Sequence, residues 1–88
     1  MRNVEIYING RVQGVGFRYH TREMAREFNI KGFVQNLTDG SVYINASGTN
    51  DEVERFIDWC HNGPRLAFVE AVKVIETTDK KYLDFSVR

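Results

Sequence analysis

One cysteine, one proline and no apolar run long enough to cross a membrane occur in these 88 residues. A lone Cys60 cannot close a disulfide within the chain, so a reducing compartment, the cytoplasm, is expected. Cys60, His20 and His61 lack the spacing of a tetrahedral zinc site, and no metal or cofactor is expected. The opening Met1-Arg2-Asn3-Val4-Glu5 has no apolar stretch behind it, so neither a signal peptide nor a membrane span is expected. An excess of one charge is also missing. Twelve Lys and Arg balance twelve Asp and Glu, which argues against nucleic-acid binding by bulk electrostatics but leaves room for one small basic pocket. The length supports one modest core, and a single domain spanning residues 1–88 is expected.

What is present is strong periodicity. Val4, Ile6 and Ile8 alternate with Glu5, Tyr7 and Asn9, which predicts a half-buried strand. Phe17, Thr21, Met24, Ala25 and Phe28 recur at helical spacing and predict a helix from about Arg18 to Asn29. Gly32–Leu37 and Val42–Ala46 read as hairpin strands about an Asp39-Gly40 turn. Thr49 and Glu52 form a capping-box pattern ahead of a second helix whose apolar stripe is Val53, Phe56, Ile57 and Cys60. Gly63-Pro64 stops it. Leu66–Ile75 reads as a strand with a slip between Ala71 and Val72, a bulge signal. Thr77–Lys81 reads as a polar turn, and Leu83, Phe85 and Val87 as a short last strand. The order βαββαβ predicts an α+β fold, a ferredoxin-like α/β sandwich with an antiparallel sheet and both helices on one face.

The segment Gly10–Phe17 carries three glycines and runs directly into the first helix. Glycines allow successive main-chain N–H groups to converge, and a helix N-terminus adds partial positive charge, so an anion is favoured there. Arg18 follows at once and can grip a phosphate or carboxylate through two parallel bonds. The segment lacks the Gly-Lys-Ser/Thr of nucleotide hydrolases and the acidic residue of dinucleotide-binding folds.

Gly10-Arg11-Val12-Gln13-Gly14-Val15-Gly16-Phe17-Arg18 resembles the first motif of the acylphosphatase family, and Gly32–Val42 (GFVQNLTDGSV) resembles its second. Gly63-Pro64, Ala67, Val69, Val72 and the final Phe85-Ser86-Val87-Arg88 are also similar to that family. The resemblance implies a hydrolase of the carboxyl–phosphate bond in small acyl phosphates, with inorganic phosphate as product and competitive ligand; the charge balance and the lack of a heptad favour a monomer. It implies that Arg18 binds phosphate and Asn36 orients the attacking water. Gln13, Gly14, Val15, Gly16 and Phe17 would complete the phosphate cradle. Phe33 stands where the family often has Trp or Tyr, and Leu37 where some members have a hydroxyl residue.

Other candidates read as structural. His20 lies two residues beyond Arg18 and so about 200° round the helix, facing away from a ligand held by Arg18. Cys60 sits on an apolar stripe and reads as a small hydrophobe, and Trp59 and Phe68 read as packing residues. The alternative to an enzyme is a non-catalytic ferredoxin-like module that binds an anion or RNA, because the same element order serves RNA-binding domains.

Overall fold

The computed structural model describes residues 1–78 and 81–88. The elements are β1 (Arg2–Arg11), α1 (Phe17–Glu27), β2 (Lys31–Asn36), β3 (Val42–Gly48), α2 (Asn50–Asn62), β4 (Phe68–Glu76) and β5 (Phe85–Val87). They form one sheet in the order β4-β1-β3-β2-β5. The first four strands pair antiparallel, as the element order predicts. The sheet departs from pure antiparallel at its edge, where β5 runs parallel to β2.

The alternation in β1 places Val4, Ile6 and Ile8 on one sheet face, fully buried. The matching face of β3 supplies Val42, Ile44 and Ala46, and β2 supplies Val34. The helices close over this same face with Phe17 and Ala25 from α1 and Val53, Phe56, Ile57 and Cys60 from α2. Each helix thus buries one stripe, which supplies most of its stability in a chain this short. α2 begins with the capping box, with Thr49 Oγ1 accepting from Glu52 N and Glu52 Oε1 accepting from Thr49 N. α1 ends at Glu27, and just beyond it Asn29 adopts the left-handed region at φ 59°, with Ile30 N donating back to Ala25 O.

Three boundaries differ from the sequence reading. The β1–β4 register shifts at Asn9/Gly10, where Val69 and Ala71 face successive residues and Glu70 is the extra one. The bulge therefore precedes Ala71 rather than following it, and it keeps Val69, Val72 and Val74 against the core. Phe68 is not a packing residue: it is 65% exposed, because β4 is an edge strand and its end projects past the helices. Leu83 stands outside β5 and is 98% exposed, so the last strand holds only Phe85–Val87. The polar turn expected at residues 77–81 lies partly outside the described residues.

Gly32 occupies the tightest backbone approach in the sheet. Its φ is +141°, and a Cβ there would lie 1.8 Å from the carbonyl oxygen of Asn45 on β3. No rotamer relieves a clash with main chain. Gly32→Ala is expected to cost about 3 kcal/mol or more, from backbone strain and overpacking together. In a domain this small that lowers Tm by roughly 10 °C or more. Thermal denaturation followed by circular dichroism checks this, and an unchanged Tm contradicts it.

Candidate active site

The loop between β1 and α1 is built by left-handed glycines. Gly14 has φ 77° and Gly16 φ 76°, conformations that side chains with a Cβ rarely adopt. Gly16 is also the N-cap of α1, and no side chain caps that helix. Among the described residues, none of the main-chain N–H groups of residues 14–19 donates to a protein acceptor; the first to do so is His20 N, to Gly16 O at 3.1 Å. A row of unpaired donors therefore stands at a helix N-terminus, where the macrodipole adds to their positive potential.

A pocket of about 360 Å³ opens at this end of the sheet. Gly14, Gly16, Phe17 and Arg18 form one wall, and Asn36, at the last position of β2, forms another. Arg18 and Asn36 are thus brought to one concavity, although they lie on a helix and a strand 18 positions apart. Phe17 fills the core beneath with its ring, 2% exposed, so its share of the cradle is main chain. Arg18 Nη1 donates to the main-chain oxygen of Arg88 at 3.0 Å, which steadies the guanidinium and leaves its other donors free. Arg88 is itself held at both ends. Its N–H donates to Val34 O at 2.8 Å, and its guanidinium lies 3.7 Å over the ring of Phe33. Phe33 thus acts as a flat support for the Arg88 guanidinium.

Asn36 Oδ1 is buried and meets no hydrogen-bond donor among the described residues. A buried acceptor without a partner is costly and calls for a ligand or water. It is the acceptor that an attacking water would need.

The side chains of two residues expected in the cradle have other partners. Gln13 does not line the pocket. Its Nε2 donates to Leu37 O at 2.8 Å and to Ser41 O at 2.9 Å, so it ties the glycine loop to the turn that follows Asn36. That turn is fixed in addition by Asp39, which accepts from Ser41 Oγ and Ser41 N, at 2.6 Å and 2.9 Å. The Ser41 hydroxyl, then its N–H, hold the Asp39 carboxyl below the usual carboxylate range. The Val15 side chain packs against the core, so what it offers the loop is its unpaired main-chain N–H. Sequence reading could not have found the Gln13 role, because both acceptors are main-chain oxygens of a distant turn.

Sequence reading also missed Arg22, which lines the same pocket one helical turn beyond Arg18. The only signal was its i, i+4 spacing from Arg18. His20 is exposed and outside the pocket, its ring edge-on to Tyr19 at 5.3 Å. Cys60 is fully buried, and that burial pushes its thiol well above the usual range, so it is no nucleophile. Among the described residues no three His, Cys, Asp or Glu side chains gather as metal ligands would, and no helix is long and apolar enough to cross a membrane.

The open sheet face bears on the RNA alternative. Tyr7 and Tyr43 meet at 60° with centroids 5.1 Å apart, and Phe33 meets Tyr43 at 47°. Tilted rings packed on one another do not form the flat platform on which bases stack. Tyr43 Oη donates to Glu5 Oε2 at 2.6 Å, which sets a carboxylate among the rings. Burial, then this bond, pushes the phenol up to about 12.

Comparison with known proteins agrees with the pocket rather than the sheet face. Residues 4–87 match the acylphosphatase family. A relative from Shewanella amazonensis, named acylphosphatase, is 50% identical over 88 residues, covering 99% of this chain and 97% of its own. One from Archaeoglobus fulgidus, with the same name, is 49% identical over 84 residues, covering 96% and 94%. The crystal structure of acylphosphatase from Bacillus subtilis superposes with a TM-score of 0.97 at 34% identity, covering 100% of this chain and 99% of that one.

Proposed function

The chain belongs to the acylphosphatase family and hydrolyses acyl phosphates, and from that premise we propose how its own residues carry out the reaction. The unpaired N–H groups of residues 14–19 and the Arg18 guanidinium hold the terminal phosphoryl group. Each charge-assisted bond contributes about 1.5–3 kcal/mol, so several together hold a dianion at roughly millimolar to micromolar affinity. The side-chain oxygen of Asn36 accepts a hydrogen bond from one water and sets that water's lone pair in line with phosphorus.

The water oxygen forms a bond to phosphorus while the bond from phosphorus to the acyl oxygen breaks. The leaving group is a carboxylate, a weak base, so it departs with its electron pair and needs no general acid. An amide cannot take up the water's proton, so the proton passes to a phosphoryl oxygen of the substrate. Negative charge spreads over the equatorial oxygens in the transition state, and the preorganised donors are already aimed at them. The positive field comes from chain atoms: helix-terminal N–H groups and a guanidinium.

The observation that carries this reading is the meeting of Arg18 and the undonated Oδ1 of Asn36 in one pocket. Benzoyl phosphate hydrolysis, with inorganic phosphate as competitor, is the test. Turnover inhibited competitively by phosphate is expected; no turnover, or turnover indifferent to phosphate, overturns the assignment. Residues 1–88 act as one domain in this reading, as a monomer in the cytoplasm and without a nucleic-acid partner. The balance of twelve basic and twelve acidic residues and the single buried cysteine support that assignment.

A further inference from the structure

Arg18 does not exhaust the positive charge of the pocket. Arg22 lines it too, and no carboxylate does among the described residues. The two guanidinium groups stand at i and i+4, one above the other on the same face of α1. The Arg22 side chain is only about one-third exposed, and its Nε is buried without a hydrogen-bond partner. Glu23 does not supply one. Its Oε2 is 3.7 Å away, too far for a hydrogen bond, and it also faces Arg26 at 3.5 Å. The guanidinium is instead held over the ring of Tyr19, 5.6 Å from its centroid. Tyr19 lines the same pocket.

A single tetrahedral oxyanion occupies only a few times the ~30 Å³ of a water molecule. The pocket, at about 360 Å³, has room beyond the phosphoryl group for an acyl part. A second guanidinium beside a like charge, in a pocket that no carboxylate lines among the described residues, favours an anion there. Four residues separate Arg22 from Arg18, a rise of about 6 Å along the helix, so that anion belongs to a second group on the same ligand.

Resting on the acylphosphatase reading above, we infer that Arg22 sets substrate preference: this pocket favours acyl phosphates whose acyl part carries a second anionic group, and Arg22 receives that group. Arg22 takes no part in the bond changes at phosphorus. Its contribution is to binding of the acyl end, so its effect falls on KM for substrates that carry the second charge.

The test compares benzoyl phosphate with its 3-carboxy and 4-carboxy derivatives, in the parent protein and in Arg22→Gln and Arg22→Lys. The quantity read is the ratio of kcat/KM, carboxylated over parent substrate. For at least one isomer this ratio is expected to fall about tenfold or more in Arg22→Gln, the loss of one charge-assisted contact, with Arg22→Lys in between. Ratios unchanged within twofold for both isomers overturn the inference. A second measurement needs no variant. Calorimetric binding of phosphonoacetate is expected to be about tenfold tighter than that of methylphosphonate, a difference that shrinks as salt is raised. Equal affinities overturn the inference. A parent protein that hydrolyses none of the three substrates defeats the assigned reaction instead, and the phosphonate comparison, repeated in Arg22→Gln, where the difference is expected to vanish, still decides the role of Arg22.

Discussion

Arg18→Gln is expected to lower kcat/KM for benzoyl phosphate by about 10³-fold or more, the scale on which a transition-state arginine acts in phosphoryl transfer. Glutamine keeps a donor but loses the charge and the paired N–H geometry. Ground state and transition state both carry the phosphoryl charge, so binding weakens along with rate. Competitive inhibition by inorganic phosphate is expected to weaken by about tenfold or more. The fold should survive. Arg18 makes one exposed hydrogen bond, to the main-chain oxygen of Arg88, worth about 1 kcal/mol. Steady-state kinetics with phosphate inhibition, read beside a thermal melt, separates the two. A folded variant with the parent's phosphate affinity would remove Arg18 from the anion site.

Asn36→Ala has a different signature. The residue ends β2 and its main chain pairs with Val42, so the strand does not depend on the side chain. The amide oxygen meets no donor in the protein, so removing it strands no partner. In the proposed mechanism phosphate is held by the loop N–H groups and Arg18 rather than by Asn36. The expected result is a fall in kcat of about 10²-fold, the penalty for a misplaced nucleophile, with inhibition by inorganic phosphate changed less than about threefold. A fall of that size corresponds to about 2.7 kcal/mol of transition-state stabilisation. Full turnover in this variant would end the water-holding role. Equal loss of rate and phosphate affinity would place Asn36 in the anion cradle instead.

Much of the fold was legible along the chain. The alternation of Val4, Ile6 and Ile8 placed β1 with its correct buried face. The stripe of Val53, Phe56, Ile57 and Cys60, with the Thr49–Glu52 capping box, placed α2 and its start. Such patterns are local: they repeat with the period of the element and meet the same neighbours at each turn or alternate residue. The readings that moved depend on the sheet edges. Phe68 sits past the cover of the helices, β5 takes a parallel place beside β2, and the bulge is assigned by β1 across from it. None of these follows from the period of one segment.

The candidate site divides the same way. Arg18 stood out because a glycine-rich loop led straight into it, and Asn36 because its surroundings resembled a known motif. Gln13 looked like a ligand of the anion because it is polar and lies within the loop. Its side chain is instead engaged by Leu37 O and Ser41 O, atoms that a sequence does not place near it. Arg22 drew no attention because an arginine on a helix surface is ordinary. Only the position of β2 and β5 beside α1 encloses it in a pocket.

By itself, then, the sequence determined the elements, their buried faces, the open helix start and the glycine loop that leads into it. These depend on backbone freedom at glycine and on short-range periodicity. Only the tertiary structure decided that Arg18 and Asn36 share a cavity, that Gln13 ties the cavity's two loops together and that a second guanidinium faces the same space. Distances between elements are set by strand pairing and by helices packed across the sheet, and those contacts join residues far apart in the chain.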